Sequence, residues 1–143
     1  LVLLAGTNDL SNRGVSPEDL IKSLDVSISE LKQFSNLRQI FLCKLPQRFD
    51  YHNINVKVCK FNHLLAERFS DTEEFITVID TIQPEIRLYY QDGIHFSDLG
   101  LNKICSIILS KLYRVLAPSD HRSRVQNKRN ERHNSPLLNL SRR

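Results

Sequence analysis

The sequence predicts an α/β domain with a parallel sheet, on three observations. Short apolar runs alternate with stretches of helical periodicity in the order β, α, β, α, β, loop, α. The apolar runs are continuous rather than alternating, as in strands buried on both faces. Two polar clusters follow strand-like runs, where ligands collect at the carboxyl ends of a parallel sheet.

The elements follow in order. Leu1 to Ala5 is all apolar and reads as a first strand, ending in the turn formers Gly6-Thr7-Asn8-Asp9. Ser16-Pro17-Glu18-Asp19 reads as a helix start, with a capping serine, proline at the first helical position and two acids near the positive end of the dipole. Leu20, Leu24, Ile28 and Leu31 then share one helical face. Gln39 to Leu45, with Ile40-Phe41-Leu42-Cys43 at its centre, is the second strand, and Pro46 stops it. Residues 47 to 54 are polar and aromatic and read as a loop. Val58, Phe61, Leu65 and Phe69 form a second helical stripe, and Phe75 to Ile79 a third strand. Ser97 is placed to cap a last helix, in which Leu101, Ile104, Cys105, Ile108, Leu112 and Val115 share one face.

Composition narrows the class. A chain of 143 residues with 41% apolar and 25% charged content suits one modest globular domain. No apolar run approaches the roughly 18–20 residues that span a bilayer, and the start has no basic lead or cleavage site of a signal peptide. The chain contains no methionine, so further residues are expected before Leu1. The three cysteines, Cys43, Cys59 and Cys105, are far apart in apolar surroundings and are expected as buried free thiols; one disulfide plus a free thiol is the alternative.

The net charge of +4 is uneven. From Ala117 onward seven Lys/Arg stand against two acids, while the first 116 residues carry 13 basic and 14 acidic groups. The chain therefore divides into a domain over 1–116 and a basic tail over 117–143 that is expected to be disordered. The tail has two readings: a solvated terminus, or a contact with nucleic acid or another acidic surface by charge alone. It carries no interleaved aromatics for base stacking.

Asp92-Gly93-Ile94-His95 follows the third strand and precedes the last helix. Three-residue spacing around a glycine lets a carboxylate meet an imidazole. The acid then fixes the tautomer and leaves the other ring nitrogen as a base. Asn8 offers a neutral N–H donor for a developing oxyanion. Each motif alone is common: D-x-x-H as a histidine at a helix start, G-T-N-D as a turn satisfied by its own side chains. His52, His63, His121 and His133 share no metal-ligand spacing, and the four glycines form no phosphate loop. Neither metal nor cofactor is expected. Tyr51 and His52 could border a substrate site.

Together, in this order, the two motifs resemble the SGNH hydrolases, the GDSL-like esterases and lipases. Leu1 to Asp9 is similar to that family's strand-G-x-N-D block, and Asp92 to Gly100 to its D-x-x-H block with a following helix. Leu45-Pro46 also looks like the end of the family's fourth strand. The resemblance covers residues 1–116. It implies a partial three-layer α/β/α flavodoxin-like fold with parallel strands, lacking the first two strands. It also implies carboxylic ester hydrolysis by Ser–His–Asp chemistry on a small-molecule or acyl-ester substrate. By the same resemblance Asp92 and His95 would be catalytic, Asn8 the oxyanion-hole side chain and Gly6 the backbone turn beneath the site. Asp9 would hold the loop.

One part of the pattern is missing. The family's serine lies in a G-D-S block after its first strand, and no such block is present. Ser11 and Ser97 lie nearest the motifs, but neither is on a strand-to-helix elbow. The chain as given is therefore expected to be inactive, with a serine-bearing strand about 60–100 residues upstream. The alternative is a non-catalytic module of a multidomain or mobile-element protein whose tail contacts nucleic acid.

Overall fold

Three parallel strands, β1 (Val2–Leu3), β2 (Ile40–Cys43) and β3 (Ile76–Ile79), lie side by side in chain order. Val2 pairs with Phe41 and Leu3 with Leu42; Ile40 through Cys43 pair in register with Ile76 through Ile79. The computed structural model describes residues 1–50, 52–69, 75–81 and 83–117. The expected α/β class with parallel strands is what the chain forms. Among the described residues no helix is long and apolar enough to cross a membrane.

Helices carry the connections. α1 (Thr7–Ser11) follows β1, α2 (Pro17–Leu31) leads to β2, α3 (His52–Phe69) to β3, and a 3-10 turn at Ile86–Leu88 precedes α4 (Asp98–Leu116). The start of α2 is built as its residues imply. Ser16 Oγ accepts the Asp19 N–H at 3.1 Å and donates to the Asp19 carboxylate at 2.5 Å, with Pro17 at the first helical position.

One face of the sheet carries the main core. Ile40, Leu42 and Ile76 pack with Ile28 of α2 and with Val58, Phe61, Leu65 and Phe69 of α3, all buried. Both helical stripes thus face the strands as their spacing requires. Phe41, Cys43 and Ile79 alternate to the opposite face and are buried as well. A second, smaller cluster joins Leu88, Tyr89 and Ile104, with Phe96, Ile107 and Ile108 against it.

Four local expectations are corrected. Among the described residues the first strand, two residues long, pairs with β2 alone, and Leu1, Val2 and Leu4 are exposed. The G-T-N-D turn winds directly into α1, with Gly6 at its start. The loop after β2 ends at His52, where α3 begins. In α4 the buried residue of the expected face is Ile104; Ile108, Leu112 and Val115 are half-buried, and Leu101 and Cys105 are exposed. Cys43 is a buried free thiol as expected, whereas Cys59 and Cys105 are exposed free thiols.

The chain divides into two compact units, Leu1–Leu109 and Ser110–Arg143, with the boundary inside α4. Of the basic tail expected from Ala117, only Ala117 lies among the described residues.

Candidate functional site

The Asp92–His95 turn is built from local bonds. Tyr89 and Phe96 form an antiparallel bridge, and the Tyr90 N–H donates to the His95 carbonyl at 2.8 Å. Within this small loop the Gly93 N–H donates to the Tyr90 carbonyl at 3.0 Å. Gly93 has φ of 66°, a left-handed conformation that favours glycine. Its position is also crowded: a methyl on Gly93 would stand 2.7 Å from the Asp50 nitrogen and 2.8 Å from the Phe49 carbonyl carbon.

Inside this frame Asp92 is held at both oxygens. Oδ1 accepts the backbone N–H groups of Ile94 at 2.8 Å and His95 at 3.0 Å. Oδ2 lies 2.6 Å from His95 Nδ1. The hydrogen bond to the imidazole, then the two backbone N–H groups, bring the Asp92 carboxyl down to about 2 from 3.8. In the neutral ring, an ionised carboxylate opposite Nδ1 makes that nitrogen the protonated one and leaves the lone pair on Nε2. Nε2 makes no hydrogen bond among the described residues, and the His95 side chain is 75% exposed. The arrangement can therefore take a proton from a group brought to it and stabilise the resulting imidazolium.

The loop after β2 supports this turn. The Phe49 N–H donates to the Gly93 carbonyl at 2.8 Å. Tyr89 Oη donates to the Gln47 carbonyl at 2.6 Å, and the Tyr89 ring lies against Phe49 and Phe96 at centroid distances of 5.1 and 5.0 Å. Burial pushes the Tyr89 hydroxyl up to about 12, so it stays a donor throughout the working pH range.

Two asparagines of α3, one heptad apart on the same face, fasten the same loop. The Leu45 N–H donates to Asn62 Oδ1 at 2.7 Å, and Asn62 Nδ2 donates back to the Leu45 carbonyl at 2.8 Å. Asn55 repeats the pattern on Arg48, at 2.8 and 2.7 Å. Each amide replaces a strand neighbour for a peptide group that has left the sheet.

Arg48 then links the loop to α1. Its Nη1 donates to Ser11 Oγ at 2.8 Å, and its Nε and Nη2 grip the Asp50 carboxylate at 2.8 and 2.5 Å. Asp50's hydrogen bond raises the Arg48 guanidinium above its ordinary value, and the nearby Asp92 charge adds to the effect. None of Arg48, Asn55, Asn62 and Tyr89 stands out in the sequence, since each acts on backbone or side chains far along the chain. A signal of sorts was present at Asn55 and Asn62, two polar amides seven residues apart on an otherwise core-facing helix.

The expected site residues are only partly assembled. Asp92 and His95 meet. Asn8 is the second residue of α1, exposed, and its side chain makes no hydrogen bond among the described residues. No hydrogen bond there joins it to Asp92 or His95. Gly6 stands at the start of α1 with φ of 121°. Asp9 lies exposed in the first turn of α1. Ser11 Oγ donates to the Thr7 carbonyl and receives Arg48. Ser97 caps α4, accepting the Gly100 N–H at 3.3 Å and donating to the Arg87 carbonyl. Tyr51 lies outside the described residues, and His52 begins α3. Among the described residues no three His, Cys, Asp or Glu side chains gather as a metal site would require.

Compared with known proteins, the chain matches no family model and no curated protein.

Proposed function

We propose that Asp92 and His95 are the base half of an ester-hydrolysis site of the SGNH type. The single observation that carries this reading is the 2.6 Å contact of His95 Nδ1 with a fully hydrogen-bonded Asp92 carboxylate, which leaves Nε2 open. In the proposed reaction Nε2 takes the proton of a nucleophilic hydroxyl as its oxygen attacks the ester carbonyl. Asp92 stabilises the imidazolium, and the same proton passes to the departing alcohol. Asn8 would donate to the oxyanion from the other side, with the backbone turn at Gly6 beneath it.

No serine hydroxyl among the described residues is bonded to His95. For the purified chain we accordingly expect no hydrolysis of a short-chain aryl ester above that of a His95→Ala control. The deciding experiment extends the reading frame upstream of Leu1. A hydrophobic strand ending in Gly-Asp-Ser, in a protein whose ester hydrolysis falls at least about a thousandfold in His95→Ala, is the expected result. An extended protein with no such strand and no His95-dependent turnover would overturn the reading.

A further inference from the structure

A cleft of about 350 Å³ opens between the end of α1, the Arg48–Asp50 pair and the first turns of α3. Its size falls in the range of small-ligand sites, roughly 300–1,000 Å³. Three cations line it, Arg13, Arg48 and Lys57, against one carboxylate, Asp50, while Leu10 and Ile54 supply apolar wall.

The three cations are not equivalent. Lys57 is spent on the fold: its Nζ donates to the carbonyls of Leu10, Asn12 and Val15 at 3.3, 3.1 and 2.8 Å. It contributes charge to the cleft but no free N–H. Arg48 is fixed by Asp50 and Ser11 through three of its five N–H groups, which leaves two on a guanidinium that cannot swing away. Arg13 is exposed and has no hydrogen-bond or ion-pair partner among the described residues. A held guanidinium and a free one in a single cleft, with one opposing carboxylate already engaged, form a receptor for negative charge.

We propose that this cleft is a binding site for an anionic group, a carboxylate or a phosphate, carried on a small ligand with an apolar stem. Arg13 closes on the anion, Arg48 presents its remaining N–H groups, Lys57 supplies field, and Leu10 and Ile54 contact the stem. The site goes beyond the hydrolase reading and does not rest on it. Neither Asp92 nor His95 lines the cleft, and its chemistry needs neither.

The test is a residue-resolved NMR titration of the full chain with inorganic phosphate in one arm and butyrate in the other. Amide shifts are expected to cluster at Ser11, Arg13 and residues 53–57, saturably. Arg13→Ala should weaken binding about tenfold, at the low end for a lost charge-assisted hydrogen bond because Arg13 is exposed. Arg13→Lys should recover part of the loss, and Arg38→Ala, on an exposed segment outside the cleft, should change nothing. Tighter binding of butyrate marks a carboxylate with its stem; tighter binding of phosphate marks a phosphoryl group. Equal affinity of Arg13→Ala and the unaltered chain, or shifts confined to the basic residues beyond Ala117, would sink the proposal. His95→Ala should bind both probes unchanged, so failure here and failure of the hydrolase reading are read separately.

Discussion

The two polar clusters, Gly6–Asp9 and Asp92–His95, are built in opposite ways. At Asp92–His95 both carboxylate oxygens and one ring nitrogen are tied down within the turn, and the loop after β2 holds the turn through the Gly93 carbonyl. At Gly6–Asp9 the backbone enters a helix at once and the side chains of Asn8 and Asp9 stand exposed. The first region holds its geometry before any ligand arrives. The second offers a donor whose direction the described residues do not set. A preorganised carboxylate–imidazole pair and an unfixed amide donor thus differ in how much of their geometry the fold sets in advance.

The sharpest way to break the contrast is at the glycines. Gly93→Ala would place a methyl against the backbone of Phe49 and Asp50, which cannot move without opening the loop. A loss of about 2–4 kcal/mol in denaturant unfolding is expected, together with loss of the Asp92–His95 hydrogen bond by NMR. Gly6→Ala meets instead the end of the Leu20 side chain at 3.0 Å, with the Leu45 methyls farther off. Its cost is confined to the positive φ and is expected near 1–2 kcal/mol. A Gly6→Ala penalty equal to that of Gly93→Ala would erase the distinction between the two regions.

Next come the asparagines that support only one side. Asn62→Ala leaves the Leu45 N–H and carbonyl without partners in part-buried surroundings, and about 1–3 kcal/mol is expected from denaturant midpoints. Asn55→Ala should cost less than Asn62→Ala but shift the His95 ring resonances more. Its partner Arg48 stands next to the segment on which Gly93 rests.

These residues also mark where the sequence stops being legible. The Asp92–His95 contact could be read because its bonds span two or three residues around a glycine, and turn chemistry is written locally. The helical stripes of α2 and α3 could be read because period alone turns Ile28, Val58, Phe61, Leu65 and Phe69 to one side. The same periodicity put Leu101 and Cys105 on one face of α4 but did not disclose their exposure, since apolar spacing names a face but not a neighbour to cover it. For Leu1 to Ala5, an apolar run announced a strand but not its place in the sheet, which depends on what pairs with it. The grip of Asn62 on Leu45 and of Arg48 on Ser11 joins residues 17 and 37 apart and has no periodic signature.

The pH dependence of the ordered side follows from Asp92. Its carboxyl is held at about 2 in the folded chain against 3.8 when free. The folded state therefore binds the proton less readily. The Asp92 contribution is complete above about pH 4 and fades as the pH falls toward 2. An NMR titration of Asp92 should give a midpoint near 2 in the unaltered chain. In Asp92→Asn the unfolding free energy should lose part of its decline between pH 4 and 2. A midpoint near 3.8 would show that the turn opens in solution.

The smallest structural effect belongs to Asn8. Its exposed amide makes no hydrogen bond in the described structure, so Asn8→Ala should change stability by less than about 0.5 kcal/mol. In a protein with a working nucleophile the same change should reduce ester turnover by about a hundred- to a thousandfold, the usual effect of deleting one oxyanion donor. The pairing of these two numbers is what gives the experiment its force. A side chain kept for the fold would move the first and leave the second alone. One that meets charge only in the transition state would do the reverse, and would explain why Asn8 carries a donor that the resting fold leaves unused.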